Sequence, residues 1–249
     1  MNVLEYKDFY DKVGKRIGWD FSKIKCISEG LQWDFYNEVT KVCNKSDLLL
    51  DIGTGGGEAI LSIADSAYLL IGIDHSTGMM ETAATNAAKS GIPNVRFLQM
   101  DAEHLVFPEH FFNVVSSRHS CIYPKEIAKV LVQGGIFLTQ QVSESDKLNI
   151  KEAFGRGQAF GTKNGTLKNQ YITELREAGF TDIQTFESNV TEYYQTPEDL
   201  LFLLKHTPII PNFGETEGDF RVLEQFIRDN QTDKGIKTNS ERFMLIAKK

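Results

Sequence analysis

Cysteine is scarce in this chain: three in 249 residues, at Cys26, Cys43 and Cys121. Their wide spacing makes neither a disulfide framework nor a Cys-x-x-Cys metal pair, and points to reduced thiols. Clustered His, Cys and carboxylate ligands are also missing, so no metal is expected. No run of about 18 apolar residues occurs, which excludes a membrane-spanning helix. The start, MNVLEYKDFYDKVGKRIGWDF, lacks the apolar stretch of a secretory signal. These absences together imply a cytoplasmic protein with no membrane partner. Basic residues are in deficit, 27 against 34 acidic ones, for a net charge of −7. That balance argues against a broad nucleic-acid-binding face. Repeats and low-complexity linkers are absent too. With 41% hydrophobic and 24% charged residues the chain can bury a core, which excludes wholesale disorder.

What is present is an alternation of short apolar runs with helical patterns. Leu48–Gly53, Leu69–Asp74, Val95–Asp101, Phe112–Ser117 and Ile136–Val142 read as strands. Helical spacing follows in Met80, Ala84, Ala87 and Ala88, in Lys125–Val132, and in Leu167, Tyr171, Leu175 and Ala178. Phe180–Phe186 and Arg242–Ala247 then supply a sixth and a seventh strand. Such alternation predicts right-handed βαβ units and an α/β fold, a doubly wound and mostly parallel sheet with helices on both faces.

The first of these strands ends in Asp51-Ile52-Gly53-Thr54-Gly55-Gly56-Gly57-Glu58 and opens into a helical pattern. A glycine-rich turn of this kind lets the backbone approach a nucleotide-like ligand with no Cβ in the way. The dinucleotide fingerprint G-x-G-x-x-G would need glycine where Glu58 stands, and a carboxylate there would face a phosphate. Asp74 ends the second strand 21 residues after Gly53, where a carboxylate of a doubly wound sheet can take both ribose hydroxyls.

Asp51 followed by Gly53, Gly55 and Gly57 resembles the first motif of the class I S-adenosylmethionine (SAM) methyltransferases, D-x-G-x-G-x-G. The resemblance covers residues 45–142 by motif and the remainder by topology. It implies a Rossmann-like sheet of seven strands whose last strand lies antiparallel between the fifth and sixth. It implies SAM as cofactor, with S-adenosylhomocysteine as product. Asp51 would lie near the methionine ammonium, with Thr54 and Gly55 under the methionine portion. His75 and Ser76 would line the ribose edge, while Asp101 and Ala102 match the adenine-recognising acid and backbone N–H. Asn113 stands in the fourth strand where the family more often has Asp.

Methyl transfer from a sulfonium needs alignment and desolvation more than acid–base machinery. Residues facing the methyl are expected at the fourth strand's end, Ser116 to Tyr123. His119 is the candidate general base or substrate anchor. Arg118 is a candidate for capping the cofactor pocket or holding an anionic substrate. The Asp/Asn-Pro-Pro-aromatic motif of amino-methylating nucleic-acid enzymes is absent, which favours a small-molecule acceptor through O, N or C. An RNA or protein methyltransferase, a non-catalytic SAM-binding protein and an NAD-dependent oxidoreductase are the alternatives. We expect one domain, residues 1–249. An aromatic-rich N-terminal helical cap would span 1–45, and lid-like insertions 143–165 and 190–240.

Overall fold

A computed structural model describes residues 3–30 and 32–249; the first two residues of the expected cap, and Leu31, lie outside the described residues. The chain opens with α1 (Val3–Ile17), β1 (Cys26–Glu29) and α2 (Phe35–Val42). Next come β2 (Leu48–Ile52), α3 (Glu58–Ser62), β3 (Leu69–Asp74), α4 (Thr77–Ser90) and β4 (Val95–Gln99). The second half of the sheet follows with β5 (Phe112–Arg118), α5 (Pro124–Val130) and β6 (Leu131–Val142). The remainder holds α6 (Leu148–Phe154), α7 (Thr166–Glu177), β7 (Thr181–Tyr194), α8 (Pro197–His206), α9 (Glu217–Asn230), β8 (Gln231–Thr232) and β9 (Gly235–Lys248).

The sheet runs β1-β7-β9-β6-β5-β2-β3-β4, with β8 paired to β9. Strands β4, β3, β2, β5 and β6 pair in parallel, and β9 runs antiparallel between β6 and β7. The expected seven strands are therefore present, but the sheet has nine among the described residues. The expected helical cap over 1–45 is only partly helical, because β1 pairs antiparallel with β7 and adds an edge strand. Strand β8 arises where the chain turns back into β9. The segment expected as an insertion at 190–240 is narrower than foreseen. Strands β7 and β9 pair on to Tyr194 and Ile236, past the end of β6, as one long antiparallel ribbon, with α8 and α9 between them in the chain.

Burial explains the register. The central strands are covered on both faces, so they read as continuous apolar runs rather than alternating ones. One face packs Leu50, Ile52, Val115, Phe137 and Leu245 under Ile127 of α5 and Leu175 of α7. The other packs Leu49, Leu70, Val114 and Leu138 under Phe35 and Val39 of α2 and Ile60 of α3. Fully burying one such leucine contributes about 2 kcal/mol, and a one-residue slip would exchange the two faces. A third, smaller core joins Ile150, Leu200, Leu204, Leu223 and Phe226 beneath the ribbon extension.

Helix α1 crosses α4 at a pair of glycines. A Cβ at Gly14 would lie 2.5 Å from the Met79 nitrogen, and one at Gly78 would lie 2.3 Å from the Asp11 carbonyl oxygen. Asp11 adds its carboxylate, accepting from Ser76 Oγ (2.7 Å) and the Gly78 N–H (3.2 Å). Sequence order reverses at β2, with β3 and β4 on one side and β5 and β6 on the other. The carboxyl ends of β2 and β5 thus flank the crevice where doubly wound sheets bind ligands.

A buried ion pair ties the ribbon extension to the start of α6. Lys147 donates to Glu192 and to the Asn239 carbonyl (3.1 Å), and Tyr194 OH donates to Glu192 (2.9 Å). Burial alone would raise the Glu192 carboxyl; Lys147 and Arg242 outweigh it and hold it below its ordinary value. The side chains of Lys147 and Glu192 are 3% and 9% exposed. Lys147→Met, which strands the carboxylate, should therefore cost about 3–5 kcal/mol in denaturant unfolding. The double variant Lys147→Met/Glu192→Gln should recover most of that loss, and equal losses would show that the pair is not coupled.

Candidate active site

The glycine loop follows β2. Gly53, Gly55 and Gly57 all have positive φ, at 73°, 58° and 78°. The alternate spacing seen in the sequence is thus the spacing of left-handed backbone. Gly57 has a second reason to lack a side chain, since a Cβ there would lie 2.3 Å from the Phe97 ring. The loop is pinned from β3: the N–H groups of Gly53 and Thr54 donate to the Ile73 carbonyl at 2.9 and 3.0 Å. Gly55 N–H donates to Asp74 Oδ2 at 3.1 Å. Thr54 is buried beside it.

Asp74 serves the loop and the next helix together, because Oδ1 accepts from the Ser76 N–H at 2.9 Å. Each carboxylate oxygen keeps a second lone pair for a ligand. Burial raises this carboxyl above its ordinary value. His75 Nδ1 stands 3.8 Å from Asp74 Oδ1. Ser76 is fully buried as the N-cap of α4, accepting from Met79 N–H and donating to Asp11. Its hydroxyl is therefore spent inside the protein rather than presented at a ribose edge. Asp101, exposed after β4, accepts from Glu103 N–H at 3.0 Å, and Ala102 packs against the first core.

Asp51 is the most buried of the expected acids, at 1% exposure. Register places it opposite Ser116 of β5, whose hydroxyl donates to Oδ1 at 2.6 Å. Tyr36 OH, from α2, reaches Oδ2 at 3.4 Å. Burial pushes this carboxyl up to about 6 against those hydrogen bonds and the charge of Arg118. Arg118 itself lies over the Tyr36 ring, 5.9 Å from its centroid.

His119 follows β5 with a φ of 59°, a left-handed backbone uncommon outside glycine. Strand alternation would place its side chain on the face opposite Arg118. The left-handed turn instead brings the ring to Gln140, which pairs with Arg118 across β5 and β6. Trp33 Nε1, which can only donate, binds Gln140 Oε1 at 2.7 Å. That fixes the amide, so Gln140 Nε2 donates to His119 Nε2 at 3.0 Å. The imidazole proton therefore sits on Nδ1. Burial, with Arg242 and Arg118 nearby, lowers the His119 pKa well below its ordinary value. The lone pair that a general base would use is already committed, and His119 offers a donor instead.

The N-terminal segment roofs this crevice. Trp19 sits against Gly55, with its Cβ 3.1 Å from where a Cβ on Gly55 would lie, and the half-buried Tyr10 stands close to Asp74 and Cys121. Trp19 and Phe21 meet edge-on, and Phe21 reaches Phe202 of α8 at 6.1 Å. Sequence reasoning did not single out Tyr36, Trp33, Gln140 or Arg242 for the site. Residues 143–165 themselves line a cavity of about 250 Å³, where Glu144, Lys151 and Thr162 meet Thr166 and Ile209.

A family model described as a methyltransferase domain matches residues 49–135, which run from β2 into β6. Over that stretch the chain is similar to methyltransferase domains, in keeping with the resemblance of its glycine loop to the class I SAM-dependent enzymes. It is 35% identical over 106 residues to the uncharacterized methyltransferase YcgJ of Bacillus subtilis (strain 168), covering 40% of this chain and 42% of that protein. The YcgJ crystal structure superposes with a TM-score of 0.60 at 20% identity, over 86% of this chain and 97% of that one. A malonyl-[acyl-carrier protein] O-methyltransferase of Marinomonas sp. (strain MWYL1) is 27% identical over 177 residues, 65% of this chain and 63% of that enzyme. In sequence, then, the chain spans less than two thirds of either curated relative. Trp33, Tyr36, Gln140 and Arg242 all fall outside the matched 49–135.

The Asp51 shift has a definite sign. A carboxyl whose folded value is near 6 against an ordinary 3.8 binds its proton more tightly folded than unfolded. Ionisation then costs stability as pH rises from about 4 to 6, and the cost is complete above that window. Asp51→Asn keeps partners for Ser116 and Tyr36 without the charge. It should raise stability at pH 7.5 by about 1–3 kcal/mol, roughly 2–8 °C in Tm, with the gain fading near pH 4. A Tm difference independent of pH would refute the buried-charge account.

Proposed function

We propose that this chain transfers the methyl group of SAM to a small-molecule acceptor. The observation that carries the reading is Asp51, a carboxylate buried beside the glycine loop that forms no ion pair among the described residues. A buried charge without a cation of its own suits a ligand ammonium. A second acid, Asp74, stands across the same loop with lone pairs to spare for ribose hydroxyls. Asp101 and the Ala102 N–H are assigned to the adenine. Gly53, Thr54, Gly55 and Gly57 are assigned to the methionine portion, and His75 to the ribose edge. Glu58, at the start of α3, is held by Asn86 (3.2 Å) and disfavours a pyrophosphate there.

When bound, SAM supplies a methyl on a sulfonium, a leaving group that needs no further activation. The chain's own part is alignment and exclusion of water. The backbone amides of the loop are fixed by β3, and Tyr10 and Trp19 cover the crevice from α1 and its sequel. With its lone pair engaged, His119 orients an acceptor as a donor.

The small-molecule reading is supported by the net charge of −7. An aklanonic acid methyltransferase of Streptomyces sp. (strain C5), 36% identical over 78 residues, fits it as well. Three free cysteines, and no helix among the described residues long and apolar enough to cross a membrane, are consistent with work in the cytoplasm.

Calorimetric titration with S-adenosylhomocysteine, with NAD run in parallel, tests the cofactor. Micromolar binding of the first alone is expected. Asp74→Ala should weaken it by about 10- to 100-fold, the loss of one charged hydrogen-bonding group. Binding of NAD, or an unchanged affinity in the variant, would overturn the assignment.

A further inference from the structure

The cofactor reading leaves a group of cationic and donor side chains without a task. Arg118 pairs with Gln140, and Arg242 pairs with Val142 two residues along, so the two arginines share one face of the sheet. Both act on the His119 imidazole, and each guanidinium feels the other. Like charges brought together at a half-buried site need a counter-charge.

The three acids nearby provide it only in part: Glu192 Oε1 pairs with Arg242 at the long distance of 4.0 Å, and Arg118 forms no ion pair among the described residues. Asp34 caps α2, accepting from Asn37 N–H at 2.9 Å. Asp51 is engaged by Ser116 and Tyr36. Glu192 is bound by Lys147 and Tyr194 and stands 4.0 Å from Arg242. Meanwhile Nε of Arg118 and Nε of Arg242 are both buried with no hydrogen-bond partner. The His119 Nδ1–H, left free by the Gln140 contact, is a third donor. Unpaired buried donors cost stability, and an arriving anion offsets that cost. Arg242 remains 29% exposed, so the group is reachable from solvent.

We propose that Arg118, His119 and Arg242 form the subsite that holds a carboxylate of the methyl acceptor, which is therefore a small organic acid. Paired guanidinium forks match a planar carboxylate, and the neutral imidazole donates without adding charge. Trp33, Phe186 and Tyr36 stand around the subsite and give an apolar wall to the body of the acid. The Asp51–Tyr36–Arg118 contact sets the subsite one side chain from the acid assigned to the cofactor. This inference rests on the proposed cofactor.

The test uses the full chain, first titrated with S-adenosylhomocysteine and then, loaded with it, with benzoate, phenylacetate and hexanoate, each against its own amide. At least one acid should bind about tenfold more tightly than its amide, as a charge-assisted bidentate contact requires. Arg242→Gln should reduce that preference to about threefold or less, and Arg242→Lys should retain part of it. S-adenosylhomocysteine affinity in both variants should match the wild type, which also reports that they are folded. Failure of S-adenosylhomocysteine to bind would remove the cofactor reading and the subsite together. Normal binding of it, with no acid bound, with acids and amides equal, or with Arg242→Gln still discriminating, would remove the subsite alone.

Discussion

One carboxylate, buried at the carboxyl end of the central strand, constrains most of what surrounds it. Asp51 lies at the point where strand order reverses, so both flanking strands and the helix above converge on it. A charge there is expensive, and the fold offsets part of the expense with hydroxyls rather than cations. Ser116 comes from β5 and Tyr36 from α2. A cation would have satisfied the charge permanently; hydroxyls soften it and leave it available. The same choice fixes α2, since Tyr36 reaches the acid only if Phe35 and Val39 pack on the sheet as they do.

Orientation on the acceptor side depends on a donor that cannot be reversed. The Trp33 indole has only an N–H, so Gln140 must turn its oxygen there and its amide toward His119. A histidine that could read as a base at neutral pH becomes a donor through two hydrogen bonds. The surrounding charge agrees with that outcome, because a protonated imidazole beside two guanidiniums would be strongly disfavoured. An acceptor that is already anionic suits such a site, since it reaches the methyl without giving up a proton.

The glycine loop and the acids beside it were legible in the sequence because their signals are local. Gly53, Gly55 and Gly57 are spaced as left-handed backbone demands, and Asp74 sits at a fixed remove along one βαβ unit. The acceptor side was not, because its residues meet only through pairing and long-range packing. Trp33 and Gln140 are 107 residues apart, and Arg242 arrives on a strand that joins the sheet last. The choice between the two roles expected of His119, general base or substrate anchor, was open for the same reason: residue type allows both, while partners distant in sequence decide its tautomer. Strand β1 escaped notice because its four residues, Cys26–Glu29, carry neither a clear alternation nor a turn signal.

The N-terminal segment shows how a stretch rich in aromatics can serve packing and site at once. Its anchor is steric, since Gly14 and Gly78 let α1 and α4 touch along their backbones, and Asp11 locks that contact by capping α4. The same α4 cap, Ser76, bonds to Asp74 through its N–H. A displacement of α1 would therefore disturb the acid assigned to the ribose through two hydrogen-bonded residues. Trp19 and Tyr10, carried on α1 and its sequel, would leave the glycine loop in the same movement. Access to the crevice and the geometry of its acids are thus set by one helix crossing.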